Sequence, residues 1–534
     1  MLLPGDGHEV RRLNDDFYTP QEAWDELTAV RREYVRKHWA TYSGLHRELQ
    51  ATAYPGSFWK RRGKAKVHVP LAADIASLSA NLLFGNAPRC RIYDESEAVE
   101  KPKRTERGKP ARKKKSEKQL RLDAILRESL FESTIQEAAE IATVCGDVYL
   151  KCNWDQLRLD YPSIQYVSGE RAVPEYRFGH LVCVHFFTTV KTDRKSGKVW
   201  RLYELYTDGS IQSAVYIGDD GNLGTEDPAT LASYGIEPVT TVPGGGMMAV
   251  HIPNIKPTRE RKTDYGRSEF EGMRDLLDEL DETFSSWFRD IRLAKSRLIV
   301  PVEYLRKRNR PVNNGKNVDS MFTDGSFTWE FDEDVETLVA LDIANDKDMK
   351  ITPSQFQIRA DEHQKTAETL IRNIISMCGY SPQSFGLDIE GQAASGTALL
   401  IREKKSFSTR SKKLNYWSLP LERFLTSVLR LDADLYHQGG VTVNDRVIVE
   451  FPDSMSTDIS TMANAVKMLH DAQAISTQIK VKMMHPDWEE GEVMEETERI
   501  MEEYGTGDPS AMIDAGDLHK TPTDQEDEDE DGDA

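Results

Sequence analysis

The stretch that decides the fold runs from Ser395 to His437: SGTALLIREKKSFSTRSKKLNYWSLPLERFLTSVLRLDADLYH. Leu400, Phe407, Leu414, Leu421, Val428 and Leu435 recur every seven positions, the signature of one continuous helical face. A helix from Thr397 to His437 would be roughly 61 Å long, longer than most globular domains are wide. The Gly439-Gly440 pair supplies a stop. The two halves differ. Residues 397–413 carry the apolar row with Arg402, Lys404, Lys405, Arg410, Lys412 and Lys413 against a lone Glu403. Residues 414–436 add Trp417, Phe424 and Leu431, which widens the row into a core-facing side. Pro420, between them, is expected to kink the rod or restart it. The plain reading is a core helix with a solvated basic end. The sharper one is a basic half-helix that lines the path of a polyanion.

Working outward, a second regular stretch spans 265–299. Phe270, Leu277, Phe284, Ile291 and Leu298 are spaced by seven, and so are Met273, Leu280, Trp287 and Ala294, offset by three. That is an a/d seam of a helix that needs a partner helix. Its acids gather at the start and its bases at the end, in the order the helix macrodipole favours. Between the two stretches, residues 300–350 read as a small α/β insert with strands on either side of Asn313-Asn314-Gly315. Thr352-Pro353-Ser354-Gln355 reads as a capping box that launches a helix to Cys378. Residues 379–394 form a loop rich in Gly, Ser and Gln.

The N-terminal half opens with a helix over 20–49, capped at Thr19-Pro20, and an apolar helix that ends at Gly85-Asn86. One amphipathic helix is expected over 120–144. From Val148 to Ile217 the period changes to that of an antiparallel meander of at least five strands, with Asp208-Gly209 as its firmest turn. Residues 218–246 read as loop, Val441–Phe451 as strand, and Asp453–Glu503 as helical with a break at His485-Pro486-Asp487. Lys101–Lys118 is a basic low-complexity run, read as a solvated loop, and Asp524–Asp533 is an acidic tail.

The 534 residues allow several domains, and the class is mixed α+β. A net charge of −20 argues against a protein that coats DNA. Five cysteines without a CxxC pair fit a reducing compartment, with neither a disulfide frame nor a thiolate zinc site. No apolar run reaches the length of a membrane span. No phosphate loop, HExxH, EF-hand loop or GxSxG occurs, so an NTPase or DNA-dependent enzyme has no visible centre. His363 and His437 sit on predicted helices as surface or satisfied residues, and Asp332-Glu333-Asp334 reads as strand-end solvation. The expectation is therefore no catalytic residue, no metal and no cofactor. One function that fits these features is a cytosolic helical adaptor assembling through the 265–299 helix; the order of the elements favours another.

That order, with VPLAADIASLSANLLFGNAP (69–88), YGRSEFEGMRDLLDELDETFSSWFRDIRLAKSRLIVP (265–301), GQAASGTALLIREKKS (391–406) and AISTQIKVKMMHPDWEEGEVMEETERIMEE (474–503), resembles the portal proteins of tailed double-stranded-DNA bacteriophages, in the siphophage-type branch. The resemblance covers most of residues 20–505. It implies a multi-domain portal fold: a wing (1–264, and 395–452 with the long helix), two stem helices (265–299 and 351–378), a clip (300–350), a tunnel loop (379–394), a helical crown (453–505), and an acidic tail (506–534). It implies a ring, normally of twelve subunits, around double-stranded DNA at one capsid vertex. The clip would dock the large terminase subunit through Tyr304, Arg306, Arg308, Trp329 and Glu333, and later a head-completion adaptor. The tunnel loop would present Ser384, Gly386, Asp388, Glu390, Gly391, Gln392 and Ser395 to DNA. The stem would pack through Phe270, Leu277, Leu280, Phe284, Trp287 and Ile291. Arg402, Lys404, Lys405, Lys412 and Lys413 would meet either the DNA backbone or a neighbouring subunit. Major capsid and scaffolding proteins are the other implied partners, with assembly in the host cytoplasm, residence in the virion and no membrane. The 101–118 run has no characteristic counterpart in the family.

Overall fold

The computed structural model describes residues 17–43, 67–93, 116–258, 264–294, 297–301, 339–341, 352–354, 358–387, 396–436, 441, 445–452, 459–485, 488 and 490–503. The chain divides into two units, Met1–Tyr93 with Lys118–Ser454, and Asp94–Glu117 with Met455–Ala534.

In the first unit, α1 (Pro20–Glu26) opens on the expected cap: Thr19 Oγ1 accepts from Glu22 N while the Glu22 carboxylate accepts from Thr19 N. A π-helical turn, Leu27–Arg31, leads into α2 (Arg32–Ser43). Next come α3 (Leu71–Phe84), closed by Gly85, and β1 (Arg89–Tyr93). The single helix expected over 120–144 is two, α4 (Glu117–Glu128) and α5 (Phe131–Cys145). Leu130, at φ 48°, makes the break; it stays in solvent while Phe131 turns into the core.

The expected single meander is two sheets. Its strands are β2 (Asp147–Asn153), β3 (Ser163–Ser168), β4 (Ala172–Arg177), β5 (His180–Thr192), β6 (Val199–Thr207) and β7 (Ser210–Gly218). Residues 218–246, expected as loop, add β8 (Thr225–Glu226), the short α6 (Pro228–Ser233) and β9 (Val239–Thr241); β10 (Ala249–Pro253) follows. One sheet runs β10-β2-β3 and the other β4-β5-β6-β7-β8, with β9 also on β7. Both are antiparallel throughout. Residues 157–161 are turn and bend rather than strand, with Leu157 out in solvent. The Asp208-Gly209 turn forms as expected, joining Thr207 to Ser210.

The seam helix is shorter than its heptads. α7 spans Arg274–Leu293; Phe270 and Met273 precede it in turns, yet both are buried. Gly266 lies so close to the backbone of Gly146 that a Cβ there would collide, and a helix cannot begin until the chain has passed this crossing. At the other end Arg297–Pro301 is a strand, β11, with β12 (Val339–Leu341) parallel and β13 (Thr352–Ser354) antiparallel to it. The residues expected to cap a helix at 352 are thus an edge strand. Pro353 biases Thr352 toward extended backbone, and an edge tolerates the missing N–H. The helix itself, α8, begins at Ala360 and runs to Cys378.

α9 (Gly396–Leu435) is one helix of 40 residues that continues through Pro420. An internal proline costs about 3 kcal/mol. Here it is bracketed by Trp417, Leu421, Phe424 and Leu425, all buried, each contributing roughly 1.5–3 kcal/mol. Packing holds the helix together, so that it does not restart at Pro420. Those residues sit in the largest core with α4, α5 and β2, and with β14 (Arg446–Glu450), which pairs with β1. A second core joins α2, α3, α7 and α8; a third joins α1 to the β4–β6 face.

The second unit contains α10 (Ile459–Asp471), α11 (Thr477–Met484), capped by Ser476, and α12 (Glu490–Glu503). Among the described residues no helix is long and apolar enough to cross a membrane. Residues 101–115 of the basic run and the tail from 504 onward lie outside the described residues.

Candidate functional site: a buried helix junction and an open-ended helix pair

α7 and α8 form the partner pair that the heptads demanded, within one chain and in opposite directions. Leu277 and Leu280 pack with Ile374 and Ile375, while Trp287 meets His363. The near end is sealed. The far end is not: Phe284 and Trp287 are only half-buried, Phe288 and Ile291 are exposed. There Asp290 accepts from Arg359 Nη2 at 2.9 Å and meets His363 Nε2 at 3.0 Å. Partial burial would raise this carboxyl, but its hydrogen bonds to His363 and Arg359 win and hold it below the usual carboxylate value.

At the sealed end five segments meet: α3, α5, α9 and the stretches before α7 and after α8. Lys413 of α9, 1% exposed, makes an ion pair with Glu269 just before α7. Its ammonium also donates to Ser79 Oγ at 2.5 Å and Thr143 Oγ1 at 3.3 Å. The Tyr380 hydroxyl donates to Glu269 Oε1 at 2.7 Å. Burial pulls Lys413 below the ordinary lysine value and, with Glu269 beside it, pushes Tyr380 well up. A charge in such a place is tolerable only because it is paired and hydrogen-bonded.

The same junction fastens the start of the loop after α8. Gly379, at φ 94°, closes the helix, and its carbonyl accepts from Thr409 Oγ1 at 2.6 Å. A Cβ on Gly379 would lie 2.7 Å from that hydroxyl. Ser406 Oγ accepts from Ser381 N and bonds Ser384 Oγ, both at 2.9 Å. Lys405 Nζ donates to the carbonyl and hydroxyl of Ser376, capping the end of α8. A short 3-10 turn, Pro382–Phe385, ends at Gly386.

The predicted sites therefore scatter. Of the loop residues, Ser384 and Gly386 belong to this fastened turn, while Asp388, Glu390, Gly391, Gln392 and Ser395 lie outside the described residues. The basic face does not form one surface. Lys413 points into the core and Arg410 is buried, donating to the carbonyls of Leu82 and Pro452. Lys405 is spent on Ser376, and among the described bases of this face Lys404 and Lys412 are exposed. The Arg402 side chain is outside the described residues, as are Tyr304, Arg306, Arg308, Trp329 and Glu333. Of the seam, Phe270, Leu277 and Leu280 are core and Ile291 is open. Glu269, Tyr380 and Ser381 were missed as partners of the long helix; the serine and lysine of that helix that meet them, Ser406 and Lys413, are their sequence trace.

Residues 21–509 match the family described as "Phage portal protein, SPP1 Gp6-like". The chain belongs to this family of phage portal proteins, structural components of the virion rather than enzymes. Curated proteins give no match. Among solved structures, a chain of the "Virion of native gene transfer agent (GTA) particle" is 11% identical with a TM-score of 0.41, covering 78% of this chain and 89% of that one. A chain of the "Neck of native GTA particle computed with C12 symmetry" is 12% identical with a TM-score of 0.37, covering 85% and 98%. At such scores neither likeness bears on function.

Proposed function

We propose that this chain assembles into a closed ring, of twelve copies, around the DNA channel at one capsid vertex. It docks the terminase motor during packaging and afterwards joins head to tail and passes DNA on ejection. The observation that carries this reading is family membership over 21–509, together with an α7–α8 pair whose far end leaves Phe288 and Ile291 uncovered in a single chain. In this assignment α7 and α8 are the stem, the insert at 300–350 the clip, 379–394 the tunnel loop, residues 1–264 and 395–452 the wing, and 453–505 the crown. The terminase large subunit and a head-completion adaptor take the clip in turn; capsid and scaffolding proteins surround the wing.

Negative-stain imaging paired with native mass tests it. A ring with a hole wide enough for a duplex and a mass near twelve times 60.7 kDa is expected. A compact dimer or trimer would overturn the ring in favour of a helical adaptor.

A further inference from the structure

We infer that Glu175, Cys183 and His185 form a binding site for a transition-metal ion of the zinc class. The site follows from strand geometry. Cys183 and His185 are two residues apart on β5 and so share a face, and Glu175 of β4 stands directly opposite Cys183 in the register. One ligand atom from each converges, all within 4.8 Å of one another. Cys183 Sγ lies 3.6 Å from His185 Nε2, and Nε2 lies 2.6 Å from Glu175 Oε1. A sulfur and a nitrogen on a tetrahedral zinc, at about 2.3 and 2.0 Å from the metal, stand roughly 3.5 Å apart, which the Cys183–His185 spacing already meets.

The surroundings suit the role. His185 Nδ1 is held at 2.9 Å by the Tyr203 hydroxyl, so that Nε2 is the nitrogen left to face the cluster. Tyr18 N donates to Glu175 at 2.8 Å and steadies the carboxylate. All three residues are buried, Glu175 least so. A mixed sulfur, nitrogen and oxygen set selects zinc-like ions over magnesium or calcium. Among the described residues no fourth His, Cys, Asp or Glu joins the group, which leaves one position for water. The ion would take the thiolate of Cys183 and the neutral imidazole of His185 through Nε2, with the ring proton on Nδ1 toward the Tyr203 oxygen, so each ion bound releases the thiol proton to solvent. The absence of a CxxC pair hid this site; Cys-x-His on a strand with a cross-strand Glu is the pattern that would have found it.

Cobalt(II) is the probe, since zinc is spectroscopically silent. Full-length protein stripped by a chelator is expected to take up one cobalt per chain with a thiolate-to-cobalt charge-transfer band, which zinc abolishes and excess magnesium does not. Cys183→Ser is expected to lose the band while keeping its circular dichroism. No uptake by the folded wild type, or a band that survives in Cys183→Ser, overturns the site. Should Cys183→Ser fail to fold, His185→Gln decides: it keeps the thiol and is expected to weaken cobalt binding at least about tenfold, and unchanged affinity overturns the proposal.

Discussion

The indole of Trp287 lies parallel to the imidazole of His363, with ring centroids 6.2 Å apart and planes inclined by 11°. This stack lies toward the open end of the α7–α8 pair. Trp287→Ala removes it. Because the indole is half-buried, a loss of about 1–3 kcal/mol is expected in urea unfolding of the isolated chain, short of the full burial figure of about 3–5 kcal/mol. If the ring reading holds, assembly weakens further than the monomer does. Equal melting and equal native mass for mutant and wild type would count against both the stack and the stem assignment.

Lys413→Met should cost more, about 3–5 kcal/mol, because Glu269 is left as a buried charge without its cation. Adding Glu269→Gln should recover much of that loss, since the double variant buries no net charge. The comparison is a double-mutant cycle read from urea midpoints. A single Lys413→Met as stable as the wild type would mean that the two groups do not meet.

Acid should weaken the α2 region before it titrates ordinary carboxylates. His38 is buried with Nδ1 2.8 Å from Tyr34 O, and burial pulls its pKa from 6.5 down to about 4. The unfolded chain therefore binds the proton first, and between those values stability falls as pH falls. The contribution is complete above pH 6.5 and lost by about pH 4, an effect of roughly 1–3 kcal/mol. Urea midpoints at pH 7 and pH 4.5 should diverge less in His38→Gln than in the wild type. An identical pH slope in the two proteins would refute the assignment.

Deleting residues 388–394 tests the tunnel-loop proposal without disturbing the fastened turn at 381–385. The number of subunits read from the native mass and the melting temperature should be unchanged while DNA packaging drops. Normal packaging by an intact assembly of the deleted chain would dismiss the role. Deletions that reach Tyr380 or Ser381, both buried, are expected to destabilise the junction instead and so cannot serve.

Where local chemistry dictated structure, the sequence was readable. The seven-residue row of α9, the Thr19–Glu22 cap and the Asp208-Gly209 hairpin all form as their residues suggest. Misreadings arose where a distant partner overrode a local signal. Gly146 crosses Gly266 and delays α7, and β11 recruits Thr352–Ser354 before they can cap a helix. Lys413 looked like one of six solvated bases; its orientation depends on Glu269, Ser79 and Thr143, whose proximity no spacing along the chain reveals. The same holds for the site on β4 and β5, where the decisive fact is a cross-strand register.

The junction around Glu269 also sets an order of events during synthesis. It draws on Ser79, Thr143, Glu269, Tyr380 and Lys413, contacts separated by hundreds of residues and therefore slow to close. A nascent chain emerging from its N-terminus holds Glu269 without a cation until α9 has been made. The turn at 381–385 is likewise anchored only once Ser406 has emerged. A truncated or half-translated copy that ends before Ser406 therefore lacks the hydroxyl that fixes this turn in place.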